Sequence, residues 1–138
     1  MKKQLLVVLS LGVMLATASA YAQDTRITAK VPFDFTVAGK TLPAGEYLIS
    51  RVSTNDKVLA ISCPDERVTM LAMPNNKEAL NPAATTELVF NHRGNRYFLS
   101  QIWVSGSNAG REFPQGKLES ELALDYPAER VVLLANLR

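Results

Sequence analysis

The sequence TTELVFNHRGNRYFLSQIWV, residues 85–104, carries the strongest fold signal in this chain. Apolar side chains recur on both sides of the tetrapeptide RGNR, residues 93–96. Its central Gly-Asn pair suits a type II′ turn, whose first central residue has a positive φ. We therefore predict an antiparallel hairpin whose second strand is central and covered on both faces. An unbroken register pairs His92 with Tyr97, Phe90 with Leu99, Leu88 with Gln101, and Thr86 with Trp103.

The residues before this hairpin also have the patterning of strands. Apolar side chains occupy alternate positions from Ile27 to Val37, which predicts one strand that is an edge or is bulged at Pro32. Ala38-Gly39 fits a tight reversal after it. Further strands are predicted at residues 46–52, 57–63 and 67–73, the last two forming a second hairpin.

Loops and one helix complete the predicted elements. Residues 74–84 and 105–110 are rich in Asn, Pro, Gly and Ser, which indicates exposed loops. Residues 117–124 fit either a strand or a helix, and their helix-forming side chains favour one short helix. Residues 130–137 predict a final strand. The expected fold is therefore all-β, a compact antiparallel sandwich or small barrel of about seven or eight strands with one short helix near the C-terminus.

The N-terminus has the three-part pattern of a secretory signal peptide. Lys2 and Lys3 precede an uncharged apolar run over residues 5–16, and Ala20-Tyr21-Ala22 offers an A-x-A cleavage site. Cleavage after Ala22 is expected, with a cut after Ala20 as the alternative. We therefore predict a signal peptide at residues 1–22 and a single β domain at residues 23–138, exported to the periplasm or the extracellular medium.

The charge balance changes when this segment is removed. The whole chain has 15 Lys and Arg against 13 Asp and Glu, a net charge of +2. Loss of Lys2 and Lys3 leaves a neutral chain with no basic block, so nucleic acid is not an expected partner. The residues that follow the predicted cleavage site contain no apolar run long enough to span a membrane. The mature form is therefore expected to have no transmembrane segment.

Several stretches resemble a family of small exported bacterial proteins of unknown function. VPFDFTV at residues 31–37, followed by KTLPAGEY at residues 40–47, resembles that family's first block. RYFLSQIW at residues 96–103 and GRE at residues 110–112 resemble its second and third blocks. The resemblance implies export and a compact β domain, and it assigns no catalytic or binding residues.

Two groups of side chains are candidates for binding. Tyr97, Gln101 and Trp103 fall on one face of a regular strand, an aromatic–amide–aromatic row that fits a sugar-stacking platform and equally fits a core strand. Arg93 and Arg96 bracket the hairpin turn, where they could contact an anion or an acidic partner or could simply be solvated.

Catalytic and metal chemistry find little support. His92 is the single histidine, and no G-x-S-x-G motif accompanies it. Cys63 is the single cysteine, which we expect to be small, buried and inert. Asp34 and Glu46 are expected to have ion-pairing roles only. No metal-ligand spacing is present, so neither a metal nor another cofactor is expected.

Two functional hypotheses follow from these observations. The first is an exported, non-catalytic β domain that acts through contacts with an unidentified protein or a cell-envelope component. The alternative is a module that binds a glycan or a small molecule on the strand face of Tyr97, Gln101 and Trp103.

Overall fold

The structure, a computed structural model, describes residues 26–52 and 55–137, and gives the backbone alone for Asn55 and Asp56. The signal peptide predicted at residues 1–22 lies outside these ranges. Within them the chain forms strands β1 (Arg26–Val31), β2 (Phe35–Val37), β3 (Lys40–Leu42), β4 (Gly45–Val52), β5 (Asn55–Cys63), β6 (Val68–Ala72), β7 (Asn75–Glu78), β8 (Glu87–Arg93), β9 (Arg96–Trp103), β10 (Ala109–Glu112), β11 (Glu129–Leu134) and β12 (Asn136–Leu137), and helix α1 (Lys117–Leu122).

The strands form two sheets that pack as a compact β-sandwich. The five-stranded sheet has the order β12-β1-β4-β5-β6. The seven-stranded sheet has the order β11-β8-β9-β10-β7, with β2 paired to β9 and β3 paired to β2. The all-β prediction is confirmed, as is the short helix near the C-terminus. More strands are present than predicted because β2, β3, β7, β10 and β12 have only two to four residues each, too few to show an alternation.

The strand predicted from Ile27 to Val37 is divided between the two sheets. Pro32 has no N–H to donate to a ladder, and the chain leaves the first sheet immediately before it. The Asp34 carboxylate fixes the crossing by accepting a hydrogen bond of 2.9 Å from the Ala44 backbone N–H. The apolar alternation continues through the crossing because β1 and β2 both direct side chains into the core between the sheets.

The hairpin β8–β9 contains a bulge that the sequence did not reveal. His92 pairs with Tyr97 and Phe90 with Leu99, as predicted. The register then shifts, and Val89 pairs with Gln101, which leaves Ser100 as the extra residue on β9. The predicted pairs Leu88–Gln101 and Thr86–Trp103 are therefore wrong. Gly94, the first central residue of the turn, has the expected positive φ, +59°.

Beyond Ser100, the bulge reverses which residues of β9 face the core. Strand partners in an antiparallel pair share a face, so Tyr97 and Leu99 lie on the core face with Phe90. Gln101 and Trp103 lie on the opposite, outer face, because one extra residue exchanges the two faces of a strand.

Two other parts of the chain differ from the prediction. Residues 74–84 were expected to be a loop, but β7 within them pairs antiparallel with β10. Its sequence, NNKE, has no apolar side chain, so backbone pairing alone marks it as a strand. The predicted last strand is divided as well, because β11 joins one sheet and β12 joins the other. In the described part of the chain, no helix is long and apolar enough to cross a membrane.

Candidate binding cleft between the sheets

A cleft of about 420 Å³ lies between the two sheets at one end of the sandwich. Its apolar floor is formed by Ile27, Ile49 and Leu59 from the five-stranded sheet and by Ile102 and Val104 from the β9 segment of the other sheet. These positions belong to the inward-facing set of each strand, because alternate side chains point to the same face. The cleft is therefore a gap in the core that is open at one end.

Polar side chains line the mouth of the cleft. Arg51 at the end of β4, Asn76 and Glu78 of β7, and Arg111 of β10 all lie there. Arg111 is oriented by a hydrogen bond of 2.8 Å from its Nη1 to Oδ1 of Asn76. A mostly apolar lining with a few polar side chains is typical of small-molecule sites.

Lys77 forms an ion pair behind this mouth. Its Nζ lies 2.6 Å from Oε2 of Glu112. This hydrogen bond is the main reason that the pKa of the Glu112 carboxyl lies below its usual range. Oε2 of Glu112 also accepts a hydrogen bond of 3.2 Å from Nε2 of Gln101. The carboxylate therefore joins β7 to β10 and to the centre of the sheet.

Gln101 and Trp103, two of the predicted ligand-binding residues, belong to this network. Nε1 of Trp103 donates a hydrogen bond of 2.9 Å to Oε1 of Gln101, and only 8% of Trp103 is exposed. The indole ring packs directly on Gly110, where an added Cβ would lie 2.6 Å from the ring. These contacts make Trp103 part of the wall behind the cleft, since Gly110 itself lines the cleft.

Tyr97 is not part of the same row. Phe33 stacks on the Tyr97 ring at 3.7 Å between centroids and His92 stacks on it at 4.1 Å, both nearly parallel to it. Two rings at these distances cannot share one face, so they cover both faces of Tyr97. The predicted aromatic–amide–aromatic platform therefore does not form, because the bulge separates its members and the faces of Tyr97 are occupied.

The two candidate arginines at the hairpin turn have different environments. Arg93, expected to be accessible to an anion or to solvent, is instead buried in an ion pair, with Nε 3.0 Å from Oε2 of Glu119. Its Nη1 also donates to the backbone carbonyl of Tyr126 at 2.9 Å. Arg96 is exposed, as predicted. Sequence could not show the burial of Arg93 because Glu119 is 26 residues away, on α1.

The remaining chemically interesting residues have structural surroundings. Nδ1 of His92 lies 3.5 Å from Oε2 of the exposed Glu129. Cys63 is fully buried in the core, as expected. Tyr47 is also buried, and its hydroxyl donates a hydrogen bond to the carbonyl of Pro43. Among the residues that the structure describes, no group of three or more His, Cys, Asp and Glu side chains is placed to hold a metal ion.

The sequence did not indicate the cleft. Sequence patterning identifies its floor residues only as strand residues. Arg51 belongs to no motif, and Arg111 lies in the GRE stretch, to which the resemblance assigns no binding role. The lining comes from strands that are remote in sequence, so only the packing of the two sheets brings it together. Comparison of the chain with protein-family models, with curated proteins and with solved structures found no match.

Proposed function

We propose that this chain is an exported, non-catalytic binding domain, and that its ligand is a small molecule whose apolar part enters the cleft between the sheets. The observation that carries this proposal is the cleft itself, with its isoleucine-rich floor and its charged mouth. Its volume of about 420 Å³ is within the range of small-molecule sites.

The apolar floor gives such a ligand a source of binding energy. Removing apolar surface from water contributes roughly 25 cal/mol per Å². The floor side chains are fixed by their strands, so little conformational entropy is lost when a ligand covers them. The charged mouth keeps the entrance in contact with water, and the ligand is therefore expected to be amphiphilic.

The position of His92 supports a binding role over a catalytic one. The single histidine lies beside Tyr97, at the other end of β9 from the cleft residues Ile102 and Val104. Export is supported by the sequence of residues 1–22, and the periplasm or the extracellular medium is the proposed location.

Contacts with a protein or envelope partner stay a prediction and concern other surfaces. The edge strands β11 and β12 carry the exposed side chains Leu134 and Leu137, with 70% and 47% exposure. Such edges are places where proteins associate. These surfaces do not line the cleft, so partner binding and ligand binding are compatible.

The binding function is tested with N-phenyl-1-naphthylamine, an uncharged apolar fluorophore. We expect saturable enhancement of its fluorescence by the purified protein. Val104→Trp fills the cleft and is expected to abolish the enhancement. Val132→Trp is the matched control, because Val132 is on an exposed face of the same sheet and does not line the cleft.

Circular dichroism establishes that both variants are folded. A wild-type protein that gives no saturable signal contradicts the proposal. Equal signals from wild type and a folded Val104→Trp variant also contradict it, because the probe would then bind elsewhere.

A further inference from the structure

A second pocket, with a volume of about 260 Å³, lies where the parallel strands β2 and β9 begin. It shares no lining residue with the cleft. Its polar lining includes Asp34 before β2, Thr36 on β2, Thr41 on β3, Asn95 in the hairpin turn and Arg96 at the start of β9. The proposed function uses none of these side chains, so the pocket is a separate candidate site.

The strand register brings Asp34 and Arg96 into this pocket together. Thr36 pairs with Phe98 in the parallel ladder, and Asp34 and Arg96 each precede that pair by two residues. Neighbouring strands lie about 4.8 Å apart, so the two side chains start from adjacent backbone positions. The ion pairs of the described residues nevertheless do not include one between them. Both line the pocket, and a space is left between the carboxylate and the guanidinium.

Neither of these two charges is neutralised within the described part of the chain. Oδ1 of Asp34 accepts a hydrogen bond from the N–H of Ala44, which is a neutral donor. The ion pair expected for Asp34 from the sequence is not formed with any described residue. The exposed guanidinium of Arg96 likewise has no hydrogen-bond or ion-pair partner among the described residues. The pocket therefore offers one anionic and one cationic group, and its net charge is zero.

Neutral hydrogen-bonding groups complete the lining. Oγ1 of Thr36 and Oγ1 of Thr41 share a hydrogen bond of 3.1 Å. This bond uses one hydrogen, so the hydroxyl that accepts it can still donate its own hydrogen to a ligand. The side-chain amide of Asn95 can both donate and accept. The ring of Tyr97 is held between two stacked rings, which makes this wall rigid and lowers the entropy cost of binding.

We propose that this pocket binds a free α-amino acid, with its carboxylate at Arg96 and its ammonium group at Asp34. An amino acid is a zwitterion at neutral pH, so it brings the opposite charge to each side chain. Both contacts are charge-assisted hydrogen bonds, which are the stronger kind. A simple anion is attracted by Arg96 but repelled by Asp34, and a simple cation has the reverse problem. The site is independent of the cleft and of the ligand proposed for it.

The assignment is tested by titrating the purified protein with three related ligands and following the backbone-amide chemical shifts by NMR. The ligands are L-alanine, which is a zwitterion, L-alaninamide, which is a cation, and N-acetyl-L-alanine, which is an anion. We expect saturable shifts at the amides of Thr41, Asn95 and Arg96. L-alanine is expected to bind about tenfold more tightly than either derivative, because each derivative lacks one charge-assisted hydrogen bond.

Substitutions of the two charged residues show which end of the ligand each one binds. Arg96→Gln is expected to weaken L-alanine severalfold and to leave L-alaninamide unchanged. Asp34→Asn is expected to weaken L-alanine severalfold and to leave N-acetyl-L-alanine no weaker than before. The asparagine keeps an Oδ1 acceptor for the N–H of Ala44, so the local structure is preserved. Arg130→Gln and Asp65→Asn are the matched controls, since both residues are exposed and do not line the pocket.

The wild-type ligand series decides the question even where a variant fails to fold. N-acetyl-L-alanine or L-alaninamide that binds as tightly as L-alanine overturns the zwitterion assignment. The absence of saturable shifts at the pocket amides, up to the solubility limit of L-alanine, overturns it as well. Equal losses from Arg96→Gln and from its control Arg130→Gln would place any binding elsewhere and also overturn it. These results do not bear on the cleft, because the two sites share no lining residue.

Discussion

The buried ion pair of Arg93 and Glu119 shows how one residue of the short helix attaches that helix to the sheet. Oε2 of Glu119 accepts hydrogen bonds from Nε of Arg93 at 3.0 Å and from Nδ2 of Asn91 at 3.1 Å. Both donors lie on the outer face of β8, so Glu119 attaches α1 to that face. The carboxylate also neutralises a guanidinium that would otherwise be buried without a counter-charge.

We expect Glu119→Ala to lower the free energy of unfolding by about 3 kcal/mol or more, because it leaves a buried cation unpaired. Urea denaturation followed by circular dichroism measures the change. Glu121→Ala in the same helix is the control, since Glu121 is exposed, and it should change the value by only about 0.5 kcal/mol. A similar small loss for both variants would show that the pair is not stabilising.

At the scale of elements, the local hydrophobic pattern predicts most of the strands but not the positions at which they are interrupted. The alternation in residues 27–37 predicts one strand, whereas the chain changes sheets at Pro32. The hairpin turn was predicted from Gly94-Asn95, but the bulge at Ser100 was not. A bulge depends on which residues the sheet must bury on each face, and this is decided by the opposite sheet.

The bulge gives a prediction at this scale. Deletion of Ser100 would restore a regular register and place Gln101 on the core face and Ile102 on the outer face. We expect this variant to lose its cooperative thermal transition in circular dichroism. Ser100→Ala keeps the chain length and should lower stability by no more than about 1 kcal/mol. A deletion variant that melts cooperatively near the wild-type temperature would mean that the bulge is not required.

At the scale of the whole molecule, the candidate site is a product of tertiary packing. Sequence patterning was sufficient for the all-β class, since it depends on alternation within single strands. The ligand-binding row predicted on β9 assumes an uninterrupted strand. The bulge places Tyr97 on one face of the sheet and Gln101 and Trp103 on the other. The cleft joins Arg51 with Arg111, which are 60 residues apart in sequence, and no local signal connects them.

The stability of the whole fold is also expected to respond to alkaline pH through Tyr47. Burial raises the pKa of Tyr47 from 10.0 to about 12. Above pH 10 the unfolded chain loses this proton while the folded protein retains it, so stability present below pH 10 is lost as the pH rises towards 12.

Urea denaturation at several pH values between about 9 and 11.5 measures this dependence. Tyr47→Phe should show a shallower decline, even though loss of the hydrogen bond to Pro43 lowers its stability at neutral pH. Tyr126→Phe is the control, at a tyrosine that is 47% exposed. Identical slopes for all three proteins would exclude Tyr47 as the source.

The pairing of β1 with β12 has a consequence for the order in which the molecule is assembled. Ile27 pairs with Leu137 and Thr28 with Asn136, so the first and last described strands are neighbours in one sheet. Contacts over such a separation form slowly, because a long loop must close before they are made. During synthesis the N-terminal end of the chain leaves the ribosome first. This edge of the sheet is therefore completed only after residues 136–137 have left it. The floor residue Ile27 acquires its last strand partner at that moment, so the finished cleft is among the latest features to form.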